Sequence, residues 1–310
     1  MIQYYKTVEG QLLEQNCASP GVWIHLNRPT KEEIEEVCAQ TGVLVDLLTA
    51  ALDEEEAARI EREEDQTLVL VDIPVVEPEG TSFVYNTIPL GIVLLDNMVI
   101  TVCLEDTTII EDFMENRVKG FDTCKKTRFV LQLLYRTSTK FLQYLRQIDK
   151  ASTQVETALH KSMKNRELIQ MLKLEKSLVY FSTSLKGNEV VLEKMLKTNF
   201  IKRYPDDEDL LEDVIIENKQ AIEMAAIYRE ILTGTMDAFA SVISNNLNIV
   251  MKLLTSITII MAVPTMVASL WGMNVPVPFQ YVSTGFYVVL GIALVITAVV
   301  ALVLWRKKML

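Results

Sequence analysis

Apolar and polar positions follow different rhythms along this chain. Within residues 1–120, β-branched and apolar runs at 22–26, 67–73, 83–95 and 98–103 are bounded by Gly, Pro, Asn and Asp. They predict strands, with Asp96-Asn97 turning a hairpin. Thr30 followed by Glu33 predicts a capping box that opens a helix through about Cys38, and residues 46–64 have helical composition. Strands interleaved with helices make an α/β layer domain. From residue 122 the period becomes helical. Residues 122–164 and 166–199 lack Pro, contain Gly187 as their only Gly, and carry apolar residues at helical spacing. They predict an antiparallel helical pair or bundle within 121–205.

A further helix is expected from about 207 to 270. Asp206-Asp207-Glu208-Asp209 after Pro205 is a favourable start, since carboxylates stabilise the positive end of the helix dipole, and no proline follows until Pro264. Leu211, Ile215, Asn218, Ile222, Ala225, Arg229, Leu232, Met236, Phe239 and Ile243 recur at alternating steps of four and three, a heptad-like seam. At 1.5 Å per residue this helix runs roughly 95 Å.

Its second half is apolar. Residues 253–305 contain no Asp, Glu, Lys or Arg, and Pro276 and Pro278 divide them into two segments. A hydrocarbon core ~30 Å thick needs roughly 20 apolar residues. Residues 253–271 and 285–305 are therefore predicted spans, joined by a loop at 272–284 and followed by a basic tail at 306–310. Lys252 and Arg306-Lys307-Lys308 flank the spans while the loop has no Lys or Arg, so the positive-inside rule places both termini in the cytoplasm. The first thirty residues lack a basic start followed by an apolar region, so no signal peptide is expected.

A second stripe shares the long helix. Asp237, Ser241, Ser244, Asn248, Met251, Thr255, Thr258, Ala262, Thr265 and Ser269 also alternate by four and three, and nearly all are polar or small. Such a face packs against another helix or meets water. The second span has only Thr297 as a polar residue between 286 and 304, the pattern of a helix facing lipid. The first span is read as lining something wet and the second as shielding it. One helix cannot enclose a pore, so a cyclic homo-oligomer is expected. Met251 with Leu254 or Thr255 would form an apolar collar near the cytosolic mouth that gates by dewetting, with Asn248 offering amide oxygens beside it.

The 310 residues include 30 basic and 41 acidic side chains, a net charge of -11, which disfavours nucleic acid and suits cations. The acidic runs at 53–56, 61–65 and 206–213 are, taken singly, most simply solvated helix faces. Cys17, Cys38, Cys103 and Cys124 make no CxxC pair, and only His25 and His160 are available to join them, so they read as reduced, mostly buried thiols. There is no glycine-rich phosphate loop, HExxH or nucleophile elbow, and no enzyme is expected.

Gly272-Met273-Asn274 directly after the first of two terminal spans, Asn248-x-x-Met251-Lys252 before it, the acidic α/β domain and the Arg306-Lys307-Lys308 tail resemble the CorA family of magnesium transporters. The resemblance covers essentially the whole chain. It implies a homopentameric funnel with five long helices lining the pore and Gly272, Met273 and Asn274 as the filter at the external mouth. It places Asp237, Asn248, Met251, Leu254 and Thr265 at pore-facing positions, and Asp213 in a cytosolic metal-sensing site. Spacing does not locate the partner carboxylate, for which Glu77 and Glu79 are candidates. The family usually has Tyr where Trp271 stands, and often an acidic residue in the external loop. This loop has none, so capture must rest on dipoles.

Magnesium sheds water reluctantly, so neutral oxygens that bind its hydration shell, the Asn274 carboxamide and the Gly272 carbonyl, suit it. A zinc loop would be expected to offer His or Cys. Inward movement of a divalent ion gains about 4.6 kcal/mol per 100 mV, twice the single-charge value. The expected protein is a potential-driven Mg²⁺ uptake channel of the bacterial plasma membrane. Its partners would be further copies of itself, membrane lipid and divalent cations. Mg²⁺ is both transported and regulatory, closing the ring at Asp213, with no organic cofactor. Alternatives are a Co²⁺ or Ni²⁺ transporter, less readily Zn²⁺, of the same architecture, or a two-span coiled-coil scaffold without transport.

Overall fold

The computed structural model describes all residues except 81, 163–164, 199–203, 280, 282 and 310. Gln280 and Val282 of the expected loop, residues 199–203 before the long helix, and Leu310 of the tail thus lie outside the described residues. The chain forms two compact units, Met1–Thr235 and Met236–Leu310.

The first unit is built on seven strands: β1 (Ile2–Val8), β2 (Gln11–Gln15), β3 (Trp23–Asn27), β4 (Arg59–Glu63), β5 (Gln66–Glu79), β6 (Ser82–Leu94) and β7 (Val99–Cys103). They form one sheet in the order β2-β1-β3-β7-β6-β5-β4. β3 and β7 are parallel and the other neighbours antiparallel. The predicted hairpin at Asp96-Asn97 closes with the Leu95 N–H on the Met98 carbonyl at 3.1 Å.

Side chains alternate across the sheet, as strand geometry requires. Leu68 and Leu70 join Ile24 and Val102 beneath Ile34, Val37 and Leu48. Those last three belong to α1 (Lys31–Thr41) and α2 (Val45–Thr49). Val69, Val71 and Ile73 face the other way, with Trp23 and Ile92, onto Ile109, Phe129, Leu133 and Val191. That layer comprises α3 (Thr108–Met114), α4 (Lys126–Ser162) and α5 (Asn165–Lys197). The capping box at α1 is present, with Thr30 and Glu33 bonding each other's backbone N–H.

Two buried amides tie the layers together. Asn188 on α5 donates to the Asp72 carbonyl at 2.8 Å and accepts from the Asp72 N–H at 2.9 Å. Asn218 donates to the Leu185 carbonyl at 3.1 Å, joining α5 to α6 (Pro205–Trp271). The start of α6 is held by Asp207, buried and 3.5 Å from the Arg128 guanidinium on α4.

Residues 46–64 do not form one helix. α2 and a 3-10 turn (Ala50–Leu52) are followed by β4. Arg59-Ile60-Glu61-Arg62-Glu63 alternates in period two, with Ile60 inward and Arg59 paired to Glu56 and Glu61. Glu and Arg favour helices in isolation, but pairing with β5 overrides that preference. β1 and β2 also form a hairpin that the apolar runs do not predict. Its signal is Glu9-Gly10, both at positive φ (52° and 82°), the conformation tight hairpins require. The seam of α6 needs correction too. Leu211, Asn218, Ala225, Leu232 and Phe239 are buried, but Ile215, Ile222 and Met236 are half-buried, Arg229 and Ile243 are exposed, and Val214 and Ala221 are buried instead. A straight helix drifts about 20° per heptad, so one row of sevens stays inside while the other turns away.

In the second unit, the rest of α6 and α7 (Gly285–Arg306) are long and apolar enough to cross a membrane. On α7 the less exposed positions are Gly285, Val289, Ala293, Thr297, Val300, Ala301 and Leu304, one helical face. Ser256 on α6 is fully buried and donates to the Met309 carbonyl at 2.9 Å.

Candidate functional site

Within α6 between 251 and 271, Ser256 is buried and Ile260, Val263, Pro264, Val267 and Trp271 are half-buried, while every other residue is exposed. At 100° per residue these positions form one stripe. Met251, Thr255, Thr258, Thr265 and Ser269 lie on the opposite side of the helix. Asp237, Ser241, Ser244, Asn248 and Leu254 are exposed as well. A polar face at bilayer depth is therefore left uncovered by its own chain.

The hydroxyls on that face are oriented. Thr258 donates to the Leu254 carbonyl at 2.9 Å and Thr265 to the Met261 carbonyl at 3.1 Å. With the proton tied to the helix backbone, each oxygen presents lone pairs outward, as an acceptor. Thr297, the sole polar residue between Tyr287 and Trp305, likewise donates to the Ala293 carbonyl at 2.7 Å, which removes the cost of a hydroxyl in hydrocarbon.

α6 ends where the tripeptide begins. The Gly272 N–H closes the last turn on the Ala268 carbonyl at 2.9 Å, and a Cβ at Gly272 would lie 3.2 Å from that same oxygen. Met273 and Asn274 are exposed, and the Asn274 carboxamide makes no hydrogen bond among the described residues. The loop folds back because the Trp271 indole donates to the Pro278 carbonyl at 3.0 Å. Sequence reasoning missed this bond, which ties the residue before the tripeptide to the far side of the loop. Phe279 takes a left-handed φ of 65°, and its carbonyl packs directly on Gly285. A Cβ at Gly285 would collide with that oxygen. Gly285→Ala is expected to cost about 1–3 kcal/mol through overpacking, read as a lower melting midpoint in detergent. Gly291→Ala is the control, since a Cβ there meets nothing within 4 Å.

Asp213, Glu77 and Glu79 are all exposed. Glu79 pairs with Lys173 at 2.7 Å. Among the described residues no group of three or more His, Cys, Asp or Glu side chains is placed to hold a metal. The acidic run at 53–56 supplies Glu56 to Arg59, and Asp65 pairs with Arg62, in keeping with solvated surface clusters. His25 is buried, 2.9 Å from the Thr101 hydroxyl, and burial pushes its pKa down to about 4 despite the opposing charge of Asp106, so it is neutral. The cysteines are free, but only Cys103 is buried; Cys38 is half-buried, and Cys17 and Cys124 are exposed. Burial raises the Cys103 pKa to about 11, which makes it an inert core thiol.

A mixed α/β unit followed by two apolar helices, the first with an uncovered polar face, is the build of a two-span membrane protein with a large extramembrane unit. Residues 20–308 match the family of CorA-like Mg²⁺ transporter proteins. The cobalt/magnesium transport protein CorA of Methanocaldococcus jannaschii is 29% identical over 297 residues, covering 92% of this chain and 90% of the relative. The complete structure of the CorA magnesium transporter from that organism superposes with a TM-score of 0.85 at 25% identity, covering 98% of this chain and 96% of the other. The ZntB cytoplasmic domain from Vibrio parahaemolyticus, 11% identical with a TM-score of 0.59 over 79% of this chain and 96% of its own, shares the fold. The chain belongs to the CorA-like Mg²⁺ transporter family.

Proposed function

We propose that this chain is one subunit of a homopentameric Mg²⁺ uptake channel in the plasma membrane, driven by the membrane potential and closed by cytosolic Mg²⁺. The observation that carries the reading is the polar stripe of α6, uncharged from Ser241 onward and exposed on the side opposite the half-buried one. Five such faces enclose a wet path, and α7 shields it from lipid. In this reading residues 1–120 and the helical pair at 121–205 are cytosolic, 206–270 is the stalk that becomes the first span, and both termini are cytoplasmic. Asp237, Ser241, Ser244, Asn248, Thr255, Thr258 and Thr265 line the path, and Met251 and Leu254 form its apolar gate. Gly272, Met273 and Asn274 select the ion by binding its hydration shell through neutral oxygens, the chemistry a reluctantly dehydrated cation favours.

The test is Mg²⁺ uptake into proteoliposomes under an inside-negative potential, with cobalt hexaammine as a mimic of the hydrated ion. Potential-dependent uptake blocked by the mimic is the expected result. Uptake that ignores the potential, or no uptake, rejects the reading. The relative named for cobalt and magnesium favours one second reading, Co²⁺ as a cargo of the same path. Competition by Co²⁺ for uptake decides it.

For closure, one chain supplies no group of three ligands among its described residues. In this reading a regulatory ion at Asp213 is shared with a carboxylate from a second copy, with Glu77 the better candidate and Glu79 the poorer because of its bond to Lys173. Asp213→Lys is expected to abolish inhibition of the current by cytosolic Mg²⁺ while leaving the open-state current in place. Unchanged inhibition removes Asp213 from the sensor.

A further inference from the structure

The loop that follows Trp271 sits over a cavity of about 320 Å³. Val267, Leu270 and Trp271 of α6, Pro278 and Phe279 of the loop, and Ile292 of α7 line it. It is an open groove rather than an enclosed void, so whatever surrounds the helices can enter it.

Several observations indicate what fills it. Residues 253–305 have no charged side chain, so nothing there can pair with an ionic ligand. The Trp271 N–H is already bonded to Pro278. Phe279, Tyr281, Phe286 and Tyr287 are 50%, 93%, 60% and 72% exposed and, like Trp271, lie in or next to the loop that joins the two helices. Such aromatics mark the level of the membrane-water interface. An apolar cavity at that end of the spans is at the depth of the first acyl carbons, where the solvent is hydrocarbon. Left empty, its lining would forfeit dispersion contacts on one side.

We propose that this cavity binds one phospholipid acyl chain, which supports from beneath the loop carrying Gly272-Met273-Asn274. The site recognises the chain and not the headgroup. The proposal rests on α6 and α7 crossing a membrane, as in the reading above.

The test uses full-length protein in detergent carrying Trp305→Phe, so that Trp271 is the tryptophan bromine can reach and the core Trp23 supplies a constant background. Phosphatidylcholine with brominated acyl chains is titrated in. Quenching that saturates at one lipid per chain, is reproduced by brominated phosphatidylglycerol, and loses its saturation in Ile292→Phe supports the site. Val289→Phe, at another position of α7 that lines the cavity, is the second filling variant, used if Ile292→Phe fails gel filtration. Quenching that only tracks the mole fraction of brominated lipid and is the same in the filled variants overturns it. So does absence of quenching, the outcome if another copy of the chain covers the cavity. Intact Mg²⁺ uptake without saturable quenching removes the lipid site and leaves transport standing. Saturable quenching without uptake does the reverse.

Discussion

Asn274→Ala is expected to abolish Mg²⁺ uptake and leave the fold unchanged. Asn274 is exposed and its carboxamide has no partner among the described residues, so its loss costs the chain little, within about 0.5 kcal/mol for such a surface change. In the proposed pentamer the same substitution removes five carboxamides from one ring. At about 1 kcal/mol for each neutral hydrogen bond, the ring loses on the order of 5 kcal/mol of its hold on a hydrated ion, more than three decades in occupancy. Proteoliposome uptake falls to the leak level while the melting midpoint in detergent stays at the native value. Native-like uptake by Asn274→Ala would show that selection is made elsewhere on the path.

The largest effect on stability is expected at Trp23, far along the sequence from the spans. Its side chain is fully buried on β3, with ring centroids 5.1 Å from Phe129, 5.3 Å from Tyr5 and 6.0 Å from Phe121. The indole N–H donates to the Thr101 hydroxyl at 2.8 Å. Trp23→Ala leaves a void in this aromatic cluster and takes a donor from a buried hydroxyl, a loss of about 3–5 kcal/mol. For a unit of this size that is a fall of about 10 °C in the melting midpoint, measured by circular dichroism on the full chain. Trp23→Phe keeps a ring and gives up the hydrogen bond, so it should fall between. A midpoint for Trp23→Ala within about 3 °C of native would mean that the cluster relaxes around the void.

Much of the fold was legible because long elements announce themselves by period. The ends of α4, α5, α6 and α7 lie within a few residues of the expected bounds, and the capping box at Thr30 is made as the spacing predicts. What escaped was decided by tight turns and the strand pairing they allow, which composition does not show. β4 looks helical until β5 lies beside it, and β1 and β2 depend on two positive φ angles at Glu9 and Gly10. The second row of the α6 seam failed because a ten-residue alternation cannot reveal how a straight helix drifts relative to its neighbours. At the candidate site, the polar stripe could be read from spacing alone, since a helix repeats regularly. The Trp271 bond to Pro278 could not, because it depends on how an irregular loop folds back. Nor does spacing bring Asp213 together with Glu77 or Glu79, which lie on different elements.

The stretch from 272 to 284 holds no ionised side chain. Bulk electrolyte acts on exposed charges by screening them, with a Debye length of about 10 Å at 0.1 M and about 3 Å at 1 M. A mouth made only of amide and carbonyl dipoles gives that atmosphere almost nothing to screen. In the proposed channel, the rate at which ions arrive is then set by their concentration and by diffusion, and the entrance behaves alike in dilute water and in brine.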